Sequence, residues 1–403
     1  MAWKPFLLIG RISKCDTAQG HRASGLAFIR NRGKLAAERN SMRNVSRRPR
    51  RQPATSDDVA RMAGVSRSAV SRTFTDGASV SEPTRRKVLD AASKLKYRPN
   101  LFARSLKTRR SNILGLAISA LDNQYYPEVV QRLSEEFGKI GYRLLLFVTH
   151  GGTGHDPLLD ELLKYRLDGL ILASSSLSSA LAEECQRAGV PVVMLNNVDP
   201  ASKVPSVECT NELGARTVAD FLVAGKHRRF GFIAGLQNDS TSYERERAFT
   251  ECLVAKGLPA PAREDGEFSF AGAIRATRNL LKLKHPPDAI FCTNDHMALA
   301  ALQVARAEFG LQPGENISIV GFDNVPIAEW PSFGLTTYAQ PTADLVARTI
   351  RIIQLSLDNE LPDTLHEQLP GELIVRTSAR LPRSGVIHTA DGLRIWRAPP
   401  AHK

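Results

Sequence analysis

Four polar side chains cluster within six residues: Arg67, Ser68, Ser71 and Arg72. Arginine can make a bidentate contact to O6 and N7 of guanine, and serine can bond bases or phosphates. On a helix these four point outward, while Val70 and Phe74, four residues apart, face inward. A helix with such a face fits the major groove of DNA and reads base edges with its N-terminal residues. Thr55 and Ser66 stand where helical patterns begin, so their hydroxyls can cap helices, and they are candidates for phosphate contacts at those helix starts.

Further along, polar residues follow short apolar runs: Asn123 to Tyr126, Asn196 and Asn197, Asn294 and Asp295, Asp323 and Asn324. Amides, carboxylates and an arginine suit a polyhydroxyl ligand, since each hydroxyl both donates and accepts. A flat sugar face packs on a ring, for which Tyr126 and Phe268 are candidates. Plainer uses stay open: Asn294 and Asp295 as a helix cap, Asp323 as a turn residue, Arg245 as a surface helix charge. Signs of catalysis are lacking. Gly151-Gly152-Thr153-Gly154 lacks the Gly-Lys-Ser/Thr of a phosphate loop, and there is no GxGxxG, HExxH or GxSxG. The nine histidines are scattered and the five cysteines, Cys15, Cys185, Cys209, Cys252 and Cys292, form no CxxC pair. Neither a metal site nor a disulfide framework is expected, no cofactor is implied, and the cysteines fit a reducing cytoplasm as small core residues.

Three short helices must position the first set. Thr55 caps the first, with Asp57 and Asp58 in its positive first turn and Val59, Met62 and Ala63 as its apolar stripe. Gly64 breaks it. Ser66 caps the second, which runs to about Phe74. Asp76-Gly77 is a turn, and Ser81 caps the third, with Pro83 in its first turn and Val88, Ala91, Ala92 and Leu95 buried. Two helices on a tight Gly-containing turn with a supporting third make a helix-turn-helix head over residues 53–99.

From Asn112 strands and helices alternate. The apolar strand runs are Ile113–Ile118, Leu144–Val148, Gly169–Ala173, Val192–Leu195, Phe230–Ala234, Ala289–Cys292 and Ile317–Gly321. Helical patterns cover 127–140, 156–166, 178–188, 212–224, 243–256, 272–283, 295–309 and 343–357. Short continuous apolar strands between helices imply parallel sheets covered on both faces. So many units predict two doubly wound subdomains within 111–381, with ligands bound beyond the carboxyl ends of the strands. Residues 382–403 lose the pattern and read as a loose tail.

Charge divides the chain of 403 residues the same way. Residues 1–52 carry 13 Lys/Arg against 2 Asp/Glu, residues 53–110 carry 13 against 5, and the remainder 28 against 34. A basic front on a mildly acidic body suggests a polyanion partner for the front. Residues 1–52 end in Arg47-Arg48-Pro49-Arg50-Arg51 and read as a disordered basic extension. Either that extension adds non-specific phosphate attraction, or the chain starts at Met42, or it is a functional arm. No apolar run reaches about 18 residues, and Phe6-Leu7-Leu8-Ile9 is too short for a secretory segment.

The run Thr55-Ser-Asp-Asp-Val-Ala-Arg-Met-Ala-Gly-Val-Ser-Arg-Ser-Ala-Val-Ser-Arg72 resembles the head of LacI/GalR regulators. So do Val80-Ser-Glu-Pro-Thr-Arg-Arg-Lys-Val88 and Leu95-Lys-Tyr-Arg-Pro-Asn-Leu-Phe-Ala-Arg-Ser-Leu106. The match is dense over about fifty residues and continues more thinly to about residue 381. It implies that Arg67 and Ser68 read bases, that Arg72 supports base and phosphate contacts, and that residues 100–108 form a hinge helix entering the minor groove. There Ala103 and Leu106 form an apolar pair, Leu106 matching a wedge that bends the duplex. The body is implied to be similar to periplasmic sugar-binding proteins, two subdomains joined by three crossovers around a cleft. The family's ligand residues carry over most closely to Arg245, within Ser242-Tyr-Glu-Arg-Glu-Arg, and to Asn294, Asp323 and Asn196, and more weakly to Phe268, Gln340 and Ser119. One departure is Thr210-Asn211, where the family often has Asp-Asn after the sixth strand region. That puts a ligand contact there in doubt and points to an unusual effector.

The resemblance implies a cytoplasmic transcription regulator, by default a repressor, working as a homodimer or tetramer on a near-palindromic double-stranded operator and released or recruited by a carbohydrate effector. An exported solute-binding protein would share the body but need an export signal and no basic head. A non-specific nucleoid protein would need no cleft.

Overall fold

The computed structural model describes residues 54–75, 77–98, 110–118, 121–148, 162, 164–173, 179–196, 202–237, 239–358, 360–361 and 365–399. The chain divides into two compact units, Met1–Pro99 and Asn100–Lys403. The basic extension 1–52, the hinge segment 100–108 with Ala103 and Leu106, Ser119, Asn197, Gly151 to Gly154 and seven of the eleven residues of the helical pattern 156–166 lie outside the described residues.

The first unit holds α1 (Ser56–Ala63), α2 (Arg67–Thr73) and α3 (Glu82–Leu95). Thr55 closes a capping box on α1: its hydroxyl accepts from the Asp58 amide (3.3 Å) and Asp58 accepts from the Thr55 amide (3.0 Å). Gly64, at φ +66°, ends the helix in a left-handed turn that a Cβ would strain. Ser66 caps α2 through the Ala69 amide (3.2 Å). Ser81 precedes α3, but its hydroxyl donates to Thr84 (2.8 Å) rather than capping a backbone amide. Val59, Ala60, Val70, Val88, Ala91 and Ala92 form the small core, with Phe74 and Leu95 packed on it. Met62, expected in the stripe, is 51% exposed; Ala60, one position closer to Val59, takes the inward direction instead.

The second unit contains two sheets. The first runs β11-β5-β4-β3-β1-β2, all parallel. Its strands are β1 (Ile113–Ile118), β2 (Arg143–Val148), β3 (Gly169–Leu172), β4 (Val192–Leu195), β5 (Ser206–Cys209) and β11 (His366–Leu369). Helices α4 (Tyr125–Lys139) and α5 (Ser179–Arg187) belong to this subdomain. The second sheet runs β13-β14-β12-β10-β9-β8-β6-β7. Its parallel part is β7 (Ala262–Asp265), β6 (Phe230–Ala234), β8 (Ala289–Cys292), β9 (Ser318–Asp323) and β10 (Thr336–Ala339). Three short antiparallel strands, β12 (Glu372–Ile374), β14 (Arg394–Trp396) and β13 (Val386–His388), complete its edge. It is flanked by α6 (Asn211–Ala224), α7 (Ser240–Ala255), α8 (Phe270–Leu281) and α9 (Asp295–Phe309). α10 (Thr342–Leu357) returns to pack on α4, β4 and β5.

The tail expectation for 382–403 is corrected by β13 and β14. Trp396 is 2% exposed, meets Phe221 edge-on at 5.7 Å between centroids, and donates its indole N–H to the Ser384 carbonyl (3.0 Å). Strands this short leave no periodic trace in the sequence.

The chain passes between subdomains three times: from β5 through Thr210 into α6, from β10 through Gln340-Pro341 into α10, and from β11 through Pro370-Gly371 into β12. The passages are tied together. The Thr210 amide donates to the Leu369 carbonyl (2.9 Å), Gln368 donates to the Glu208 carboxylate (2.6 Å), and the Gly371 amide donates to the Tyr338 hydroxyl (3.0 Å).

Candidate functional site

In the first unit Arg67, Ser68, Ser71 and Arg72 all lie exposed on α2, while Ala69, Val70 and Thr73 are buried beneath them. The Thr73 hydroxyl donates back to the Ala69 carbonyl (2.9 Å), and the Arg85 guanidinium donates to the Thr73 carbonyl (3.2 Å), fastening α3 to the end of α2. The helix is thus held by one face and free on the other, as groove insertion requires.

In the second unit the predicted polar residues gather at the carboxyl ends of the strands, around the crossovers. Arg245 is 4% exposed although it lies mid-helix on α7. Its Nε donates to Asn211 Oδ1 (2.9 Å), its Nη1 donates to the Thr293 carbonyl (2.7 Å) and lies 3.9 Å from Asp323 Oδ1, and its guanidinium stacks 3.6 Å over the Phe322 ring. Asp323 ends β9 at φ +124°, is 5% exposed, and accepts from Gln340 Nε2 (2.7 Å). Burial pushes its carboxyl up to about 6, opposed by Arg245 and by the Gln340 hydrogen bond. Asn294 does cap α9, its Oδ1 accepting from the Met297 amide (3.0 Å), yet its buried Nδ2 has no partner. The cap and the site are one residue.

From the other subdomain Asn196, at φ +56°, donates through Nδ2 to the Tyr125 hydroxyl (2.8 Å) and leaves a buried Oδ1 without a partner. Tyr125 is fully buried, and burial together with the Asp323 charge lifts its phenol well above the ordinary range. Gln340, in a crossover, keeps a third buried partnerless atom, Oε1.

Tyr126 is half-buried, edge-on to Tyr125 at 5.5 Å. Phe268, at φ +52°, is half-buried with its ring laid on Gly235, where any Cβ would collide with it. Sequence reasoning named Tyr126 as the ring candidate and placed the helix from 127; the helix starts at 125, and Tyr125 is the buried ring. It also doubted Asn211, which follows the fifth strand and serves as acceptor for Arg245. Asp295, offered beside Asn294 as a ligand-facing group or a helix cap, is fully buried. It accepts from Thr337 Oγ1 (2.6 Å) and the Val325 amide (2.9 Å), and burial and the nearby Asp323 raise its carboxyl well above the usual range. Gly321 alone leaves room for that carboxylate against β9.

Two open grooves lie elsewhere in this unit, about 550 Å³ on the outer side of α7 and about 670 Å³ between α6 and the C-terminal strands; of the predicted residues only Gln340 lines either.

A helix-turn-helix unit followed by two facing α/β subdomains with a buried polar cleft defines the class: a DNA-reading head joined to a periplasmic-binding-protein-like, effector-binding body. Residues 55–100 match the bacterial regulatory proteins of the lacI family, and residues 219–379 match the periplasmic binding protein-like domain. The transcriptional regulator CelR of Thermobifida fusca is 31% identical over 82% of this chain and 99% of its own length. Catabolite control protein A of Priestia megaterium is 28% identical over 80% and 98%. Among solved structures, the lac repressor dimer bound to operator and the anti-inducer ONPF aligns with a TM-score of 0.72 at 26% identity, over 82% of this chain and all of that one. The CelR–cellobiose complex aligns at 0.61 and 29%, over 81% of this chain and all of that one. The chain belongs to the lacI family of bacterial regulatory proteins: it is a DNA-binding transcription regulator, not an enzyme. No helix among the described residues is long and apolar enough to cross a membrane.

Proposed function

We propose that this chain is a homodimeric repressor that reads a near-palindromic operator with Arg67, Ser68, Ser71 and Arg72, and that an uncharged carbohydrate in the cleft sets its operator affinity. Thr55 and Ser66 hold the phosphate backbone, and Ala103 and Leu106 open the minor groove between half-sites. The effector is bound by Tyr126, Asn196, Arg245, Phe268, Asn294, Asp323 and Gln340, with Ser119, and Tyr125 joins them.

The observation that carries the carbohydrate reading is three of the seven buried side-chain atoms left without partners among the described residues, those on the candidate site residues: the acceptors Asn196 Oδ1 and Gln340 Oε1 and the donor Asn294 Nδ2. Buried polar atoms are nearly always satisfied, so unsatisfied ones inside a cleft await a ligand. Both signs are represented, as hydroxyl groups require. Arg245 is already engaged by Asn211, Thr293 and Asp323, while Asp323, Glu208 and Glu244 all lie within electrostatic reach of it. A phosphate or carboxylate would meet these carboxyl groups beside an Arg245 already engaged, which favours a neutral polyol. The relatives support the same reading, one of them solved with cellobiose and another bound to an operator.

A ligand contacting both subdomains alters the angle between them, and through the hinges the spacing of the two heads. Effector and operator affinities are then coupled reciprocally. The test is selection of operators from randomised duplex DNA by the purified chain at fixed salt, followed by release with neutral sugars and their phosphorylated or acidic counterparts. A palindromic motif and release by a neutral sugar alone are expected. A motif whose release needs the anionic sugar overturns the neutral-polyol assignment, and affinity that only tracks salt overturns the operator reading.

A further inference from the structure

Asp57 and Asp58 are two carboxylates within a segment otherwise suited to phosphates, and only one of them is spoken for. Asp58 closes the capping box with Thr55. Asp57 takes no part in it. Its Oδ1 lies 2.8 Å from the Nε of Arg67, across the turn between α1 and α2. Both side chains stay open to solvent, 52% and 71% exposed. The pair is therefore no core element, and no other carboxylate among the described residues comes within ion-pair distance of that guanidinium.

A carboxylate on a DNA-facing surface works against binding, because it repels the phosphates that dominate affinity. A solvated pair of this kind also adds little to stability. What it can do is restrict the arginine. The Arg side chain carries substantial rotamer entropy, and its five N–H donors sit on a planar fork with more than one usable edge. With Asp57 at the Nε side, the two terminal nitrogens remain for a guanine O6/N7 pair.

We propose that Asp57 is a specificity-determining positioning residue: it holds the Arg67 guanidinium ready to read a base and, through its negative charge, penalises sites where Arg67 finds no guanine. The proposal rests on Arg67 being a base reader. Asp57 lowers non-specific attraction and sharpens base choice together, so its contribution appears in the ratio of specific to non-specific binding rather than in affinity alone.

The experiment is a double-mutant cycle in the full-length chain, with Asp57→Ala, Arg67→Ala and the double variant, and with Asp57→Glu as the conservative partner. Binding is measured at fixed salt to the selected operator, to its three single-base variants at the position Arg67 reads, and to random duplex. Arg67→Ala identifies that position. Asp57→Ala is expected to lower base preference there by up to about fivefold, the upper end open to an exposed ion pair, with random-duplex affinity equal to or above the parent's. Asp57→Glu retains most of the preference, and Asp57→Ala adds no further loss of preference in the Arg67→Ala background. Unchanged preference in Asp57→Ala, or an equal loss in both backgrounds, overturns the positioning role while leaving Arg67 a base reader. If Arg67→Ala itself leaves preference untouched at every position, the recognition assignment fails first and the positioning role with it.

Discussion

Replacing Asp323 with asparagine tests the cleft in two opposed ways. The carboxylate is 5% exposed and its pKa stands at about 6, against 3.8 for the free group, because burial outweighs Arg245 and Gln340. At about 1.4 kcal/mol per pH unit, holding it ionised at pH 7.5 costs the ligand-free fold on the order of 3 kcal/mol. The folded pKa lies above the unfolded one, so the folded chain binds the proton more tightly and loses stability as pH rises from about 4 to 6. Asp323→Asn removes that cost. Urea unfolding at pH 7.5 is expected to show the variant more stable than the parent by about 2–3 kcal/mol, with an unchanged m-value. The gain falls to roughly half at pH 5 and nearly vanishes at pH 4. The same variant loses a charged acceptor for ligand hydroxyls, so effector affinity by calorimetry is expected to fall about 10- to 100-fold. A variant less stable at pH 7.5, or a gain indifferent to pH, would refute the idea that the carboxylate is kept ionised at a cost to the fold. Unchanged affinity would refute its place in the site.

Effector binding to the parent chain should weaken as pH drops below about 6, where Asp323 takes up its proton; a titration series from pH 5 to 8 that stayed flat would contradict this. Trp396→Ala should destabilise the body by about 3–5 kcal/mol, measured by chemical unfolding, because its ring is buried against Phe221; a loss under 1 kcal/mol would restore the loose-tail picture. Thr55→Ala breaks the capping box and should cost the head about 0.5–2 kcal/mol, read from its thermal transition, while Ser68→Ala on the exposed face of α2 leaves that transition unmoved.

The strands that were legible in the sequence are the continuous apolar runs, whether sealed on both faces or, like the edge strand β2, partly open. β1, β4, β6 and β8 are continuous apolar runs and fall where the pattern put them. β5 was hidden by Ser206 and Glu208, both buried and both satisfied by partners about 160 positions away, His366 and Gln368. No local periodicity reports such a partner. The burial of Glu208 pushes its carboxyl up to about 7, so this strand carries a polar core position that composition reads as surface. Arg245 was readable by spacing: Thr241, Ser242, Ala248, Phe249 and Cys252, at i−4, i−3, i+3, i+4 and i+7, are buried on the same face of α7. That face condemns a surface-charge reading, since a lone arginine on it must meet partners inside. Thr55 and Ser66 were legible as caps because a cap acts within three residues, whereas Ser81, expected in the same role, turns its hydroxyl to Thr84. The cleft's hydrogen bonds join residues up to 71 positions apart, and chemistry at the strand ends supplied the candidates without saying which of them touch.

The threefold passage between subdomains also sets the order in which the protein can be finished on the ribosome. The head is encoded in the first hundred residues and can form early, since domains fold as units with the N-terminal ones first. The sheet begun next cannot close: β4 and β5 wait for α10, and β5 waits for its neighbour β11, both made more than 130 residues later. The subdomain started first is thus completed only after most of the second has been synthesised, and the second in turn waits for β12 to β14 at the very end. Through that interval an apolar sheet face and an unpaired strand edge stand open beside a head already competent to fold. Newly made chains can therefore finish the head well before the cleft that any ligand would occupy.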